Sequence, residues 1–107
     1  MTFGDRIRDL RKAKNLTQRE LADKIEINFT YLSKIENNRL EGEQFPSEDT
    51  IKKLAQTLEV SEDELLLLAR KIPDSIKQRV IQRPDAFRKM ASLDDETLSR
   101  LLKELDE

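Results

Sequence analysis

Neither cysteine nor histidine occurs among the 107 residues. Their absence excludes disulfides, thiolate or imidazole metal ligands, cysteine nucleophiles and any Ser-His-Asp arrangement. A site of carboxylates alone, or a Ser-Lys pair, stays formally open, but no motif for either is present. The expectation is therefore no enzyme, no catalytic residue, no metal and no cofactor. What the side chains can do is recognise. Between Phe29 and Glu36, Leu32 and Ile35 share the inward face of a helix, which turns positions 29, 30, 33 and 34 outward. Lys34 can donate to guanine O6 or N7, and Thr30 can meet a thymine methyl or a hydrogen-bonding base edge. Phe29 can make only apolar contacts, of which a thymine methyl is the natural partner.

Apolar spacing and capping residues define the elements that would hold these groups. Phe3, Ile7 and Leu10 recur at helical spacing, which predicts a helix over about residues 2–14 with Thr2 as N-cap. Thr17-Gln18-Arg19-Glu20 is a capping box that opens a short helix carrying Leu21, Ala22 and Ile25. Asn28 caps the next helix, and Asn37-Asn38 suits a left-handed helix end. A loop from Arg39 to Pro46 follows, in which Glu41 and Glu43 flank Gly42. Ser47 caps a fourth helix with Ile51, Leu54, Ala55 and Leu58 on one face. Ser61 and Glu64 form a second capping box, which starts a fifth helix through Leu65–Leu68; four successive leucines read as core.

Beyond Lys71, Pro73 and Pro84 suit first-turn positions, each followed by Asp. They predict short helices near 73–82 and 84–91. Leu93 and Leu98 flank Asp94, an N-cap, as a hydrophobic staple for a last helix over about 95–106. No strand-period run, internal repeat or low-complexity segment is present. The fold class expected is all-α, and 107 residues with only two Gly and three Pro suit it.

The net charge of −2 conceals a division. Residues 1–40 hold nine Lys or Arg and six acids, a difference of +3, whereas the remainder holds eleven and sixteen, a difference of −5. A polyanionic partner would therefore sit on the N-terminal part. The longest apolar run is five residues, Leu65–Ala69, so no membrane partner is expected. The start, MTFGDRIRDL, lacks the apolar stretch of a signal peptide, which points to a cytoplasmic location.

Two short helices over Gln18–Lys24 and Phe29–Glu36, joined by a tight turn, are what a helix-turn-helix requires. The run LTQRELADKIEINFTYLSKIENNR, followed by PSEDTIKKLAQTLEVSEDELL, closely resembles the Cro and phage-repressor class of regulators, the XRE family. The resemblance spans roughly residues 3–68, all five helices in order. It implies a five-helix DNA-binding domain over residues 1–68 that acts as a dimer on a two-fold symmetric operator, its recognition helices about 34 Å apart. Carried over residue by residue, Asn28, Phe29, Thr30 and Lys34 match base-facing positions. Gln18, Tyr31, Asn37 and Arg39 match phosphate-contacting ones, Gln18 through its amide and backbone N–H. Arg11 and Glu36 match an internal ion pair that ties the first helix to the end of the recognition helix.

Plainer roles exist for several of these. Phe29 suits a lid on the core, Tyr31 suits packing against the fourth helix with its hydroxyl in water, and Lys34 and Arg39 suit solvated charges. Two departures from the family pattern stand out. Glu26 occupies the turn position where the family usually has Gly, and the loop Leu40–Phe45 is longer and more acidic than the usual connection. That loop is expected to project away from phosphates.

Residues 69–107 exceed the minimal domain. Their apolar residues are too sparse for a separate core. Leu98, Leu101, Leu102 and Leu105 form a stripe on the last helix that suits either intramolecular packing or an interface, and homodimerisation is the reading preferred. The function expected is a sequence-specific double-stranded-DNA-binding transcriptional regulator, a repressor acting as a homodimer on a pseudo-palindromic operator. The alternative is an antitoxin or protease-regulated repressor whose C-terminal helices bind a protein partner, a toxin or a regulatory protease.

Overall fold

The computed structural model describes residues 1–40 and 45–106. Every regular element among them is a helix: α1 (Phe3–Ala13), α2 (Gln18–Lys24), α3 (Phe29–Glu36), α4 (Glu48–Leu58), α5 (Glu62–Leu68), α6 (Asp74–Gln82), α7 (Pro84–Ala91) and α8 (Asp95–Asp106). The acidic-loop expectation, on Glu41 and Glu43, lies outside the described residues. The chain divides into two compact units, Met1–Pro73 and Asp74–Glu107.

In the first unit each helix opens on a side-chain cap. Thr2, Thr17, Asn28, Ser47 and Ser61 accept from the backbone N–H of Asp5, Glu20, Thr30, Thr50 and Glu64. At Thr17 the capping box is complete, since the Glu20 carboxylate also accepts from Thr17 N–H at 3.1 Å. At Ser61 it is not. Glu64 turns instead to Arg6, whose Nε lies 2.7 Å from its Oε1, because a guanidinium on α1 outbids a local amide for the carboxylate.

All five helices stop in the same way, without glycine. Asn15, Glu26, Asn38, Glu59 and Arg70 adopt φ between 56° and 59°. The next residue's N–H reaches back over the end of the helix: Leu16 to Arg11 O, Ile27 to Ala22 O, Arg39 to Lys34 O, Val60 to Ala55 O and Lys71 to Leu66 O, at 2.8 to 3.1 Å. This is the Schellman closure, and a non-Gly residue in its left-handed position costs roughly 1 kcal/mol. A chain with two glycines can therefore still end five helices tightly.

The helices enclose one core, built from Phe3, Ile7, Leu21, Leu32, Ile51, Leu54, Leu65 and their neighbours. Phe3 also meets Phe45 edge to face, with ring centroids 6.0 Å apart. Gly4 is required where α1 crosses the end of α3. A Cβ there would lie 2.5 Å from Ile35 O and 2.6 Å from Glu36 O. The leucine run is only partly core: Leu65 and Leu66 are buried, but Leu67 is 52% exposed. Successive residues turn by about 100°, so a short helix on the rim of a bundle cannot bury four in a row.

In the second unit no residue of α6, α7 or α8 is buried. Pro73 stands one residue before α6, whereas Pro84 is the first residue of α7. Asp94 caps α8 by accepting from Thr97 N–H at 2.8 Å, and bonds from Thr97 hold its carboxyl below the usual range. Arg83 grips both carboxylate oxygens of Asp85 at 3.2 and 3.1 Å, which lowers that carboxyl likewise. No described helix is long and apolar enough to cross a membrane.

Candidate nucleic-acid interface

Helices α2 and α3 are joined by the turn Ile25–Asn28, in which Glu26 has φ 59°. The family's glycine position is thus occupied by a glutamate in the glycine-like conformation. The Asn28 carboxamide oxygen accepts from Thr30 N–H at 2.7 Å, which leaves its NH2 group as the outward-facing part. Leu32 and Ile35 face the core, at 0% and 2% exposure. Thr30 and Lys34 are exposed, and Phe29 is 38% exposed. The Arg19 guanidinium lies over the Phe29 ring, 4.7 Å from its centroid.

Besides the shared apolar core, one carboxylate ties α1, α2 and α3 together. Glu36 is fully buried, and an isolated buried charge would be prohibitively costly. Arg11 meets it two-pronged, Nε to Oε2 at 2.8 Å and Nη2 to Oε1 at 3.0 Å, while its Nη1 donates to Leu16 O at 2.9 Å. Gln18 Nε2 adds a bond to Oε1 at 3.1 Å, and Arg8 Nε stands at 3.7 Å. The buried acid therefore fastens the start of α2 and the end of α3 to the same face of α1. Among the described residues no buried side-chain polar atom lacks a partner.

This network changes what two of the expected phosphate-contacting side chains offer. The Gln18 amide nitrogen is already engaged by Glu36, so only its second N–H and its backbone N–H are left to point outward. Asn37 is engaged on both sides. Its Oδ1 accepts from Arg8 Nη2 at 2.9 Å, and its Nδ2 donates to Ser33 O at 2.8 Å. Tyr31 is half-buried and packs against the edge of the core. Arg39 is exposed just past the end of α3.

Three contacts are new relative to the sequence reading. Arg8 also donates to Glu36 O at 3.1 Å and so caps the recognition helix. Its spacing three residues before Arg11 on α1 is the signal that pairs the two. Asn38 accepts from Gly4 N–H at 3.1 Å and donates to Thr2 Oγ1 at 3.0 Å, tying that helix end to the start of α1. The stacking of Arg19 on Phe29 spans the turn and has no periodic signature. Among the described residues no group of acids could hold a metal ion. Glu20 is held below the usual carboxylate range, first by the backbone and then the side-chain bond with Thr17.

Two capped helices locked across a tight turn, with the second presenting an outward row of polar and aromatic side chains, define a helix-turn-helix protein. The helix-turn-helix family model matches residues 7–65, and the chain belongs to that family in its XRE-type form, a class of transcriptional regulators and not of enzymes. Three relatives illustrate the likeness. The chain is 40% identical to the cryptic phage CTXphi transcriptional repressor RstR of Vibrio cholerae, over 61% of this chain and 54% of that protein. It is 35% identical to the transcriptional activator BcrR of Enterococcus faecalis, over 62% of this chain and only 30% of that one. It is 29% identical to the transcriptional repressor RghR of Bacillus subtilis, over 96% of this chain and 82% of that one. The chain thus spans about a third to half the length of the first two. Among solved structures it resembles a chain of the SinR protein/SinI protein complex, with a TM-score of 0.57 and 26% identity over 98% of this chain and 95% of that one.

Proposed function

We propose that this chain is a cytoplasmic, sequence-specific reader of double-stranded DNA that represses transcription as a homodimer on a pseudo-palindromic operator. The observation that carries the reading is the buried Glu36 hub. It fixes α3 against α2 through Arg11 and Gln18 while Asn28, Phe29, Thr30 and Lys34 stay at the surface. A rigid pair of helices with a hydrogen-bonding outer row is what entry into a major groove demands. Arg39, Tyr31 and the free N–H groups of Gln18 then meet phosphates and set the register, and Asn37 joins them by exchanging its bond to Ser33 O for a phosphate. Two of the similar proteins are named repressors and one an activator, so repression rests on RstR and RghR.

Dimerisation is assigned to α8. Leu98 is half-buried, but Leu101, Leu102 and Leu105 are 39%, 56% and 79% exposed on one face of that helix. A second reading is favoured by the SinR–SinI likeness, since that structure is a complex of two different proteins. In it the same stripe binds another protein, such as a toxin or a regulatory protease. The experiment is a gel shift on the DNA upstream of the chain's own gene, paired with sizing, for the full chain and for Leu102→Ser/Leu105→Ser. A dimer that becomes a monomer and loses tight binding supports the homodimer. An unaltered dimer with unaltered binding contradicts the assignment of α8.

A further inference from the structure

We propose that Arg19 and Phe29 act as one reading element, selecting a thymine and a guanine in adjoining base pairs of the operator half-site. This rests on the DNA-binding reading above and adds Arg19 as a specificity-determining residue.

The arginines of the first unit are not equivalent. Arg6 is bound to Glu64, Arg8 to Glu36 and Asn37, and Arg11 to Glu36 and Leu16. Arg19, like Arg39 and Arg70, has no carboxylate or side-chain hydrogen-bond partner among the described residues, but its guanidinium is laid over the face of Phe29. The acids nearest in sequence do not compete for it. Glu20 is turned back onto Thr17 N–H, and Asp23, four residues on, makes no ion pair with it. Stacking uses the flat face of a guanidinium and leaves its N–H donors free along the edge.

Phe29 is the first residue of α3 and lies on its outward side. An exposed phenyl ring gains nothing from water or phosphate, but it fits the 5-methyl group of thymine. With the guanidinium on one face of the ring, 4.7 Å from its centroid, its donors lie one to two base-pair rises, at about 3.4 Å each, from a methyl group that meets the ring's edge. Among base edges, the acceptors that suit a planar fork are guanine O6 and N7. The stack also orders a long, flexible side chain before DNA arrives, which reduces the ordering that binding must impose.

The test selects binding sites for the full chain from a random double-stranded DNA library, for wild type, Arg19→Ala, Arg19→Lys and Phe29→Ala. Both residues are exposed, and melting curves verify that each variant folds. Wild type is expected to enrich a half-site containing adjoining thymine and guanine. Arg19→Ala should lose discrimination at the guanine by about tenfold or more, and Phe29→Ala at the thymine. Arg19→Lys, which keeps the charge but not the fork, should not restore the guanine. Deoxyuridine in place of that thymine should weaken wild type and leave Phe29→Ala unchanged. No enriched site at all with wild type would refute the DNA-reading function itself. A site enriched identically by all four proteins, or uniform weakening of every sequence by Arg19→Ala, would overturn the pairing and make Arg19 at most a phosphate contact.

Discussion

Arg11 and Glu36, twenty-five residues apart, meet through two parallel hydrogen bonds of 2.8 and 3.0 Å at a carboxylate that is fully buried. Arg11 itself is only 11% exposed. Such a pair is worth little beside a well-packed apolar replacement, but breaking it strands a charge. Arg11→Ala is therefore expected to cost about 3 kcal/mol in denaturant unfolding, and Glu36→Gln somewhat less. The double variant Arg11→Met/Glu36→Met should cost less than Arg11→Ala alone, because no unpaired charge remains. A double variant worse than either single one would show the pair to stabilise beyond its own desolvation.

Glu26 holds a left-handed conformation that glycine adopts freely, and it places an acid beside the expected DNA face. Glu26→Gly should raise stability by up to about 1 kcal/mol, since relief of backbone strain exceeds the entropy a glycine adds to the unfolded chain. It should also tighten DNA binding by removing a repulsive charge. Thermal melting reads the first effect and a salt-matched binding curve the second.

Gly4→Ala is expected to act in the opposite direction. Its methyl would meet two backbone carbonyls at 2.5 and 2.6 Å, which cannot rotate aside as a side chain would. The gain in helix propensity is smaller than an overpacking cost of roughly 2 kcal/mol. The melting temperature should fall by about 5 °C or more.

The capping box fixes the sign of one pH effect. Bonds with Thr17 lower the carboxyl of Glu20 in the folded state, so its contribution is present above the unfolded carboxylate value. It is lost as pH falls through the lowered folded value. Glu20→Gln keeps a capping amide but removes the charge, so its melting temperature should lie below wild type at about pH 7 and converge with it as pH falls through the lowered folded value of Glu20. A gap independent of pH would mean that the charge contributes nothing.

Local signals carried most of the fold. Thr2, Thr17, Asn28, Ser47, Ser61 and Asp94 all cap helices as their residue types and spacing require, because a cap is decided within four residues. Glu64 was misread where a distant partner, Arg6, competes for the same carboxylate. Gln18 and Asn37 differ for the same reason: the family resemblance implies a phosphate-contacting role for both, but Glu36 and Arg8 reach them from elsewhere in the fold. The outward direction of Phe29, Thr30 and Lys34 was legible from the inward Leu32 and Ile35. The stacking of Arg19 on Phe29 was not, since ten residues across a turn leave no period to read. Leu67 shows the limit of composition, because four leucines on a rim helix cannot all face in.

The proposal that the outer row of α3 reads DNA bases is tested most directly by Lys34. Affinities of wild type, Lys34→Ala and Arg39→Ala are measured against the preferred half-site and its single-base-pair variants at fixed salt. The predicted result is that Lys34→Ala loses discrimination at one base pair by about 1–3 kcal/mol, while Arg39→Ala weakens every sequence alike and flattens the salt dependence. Unchanged discrimination at every position with Lys34→Ala would contradict the assignment of α3 as the recognition helix.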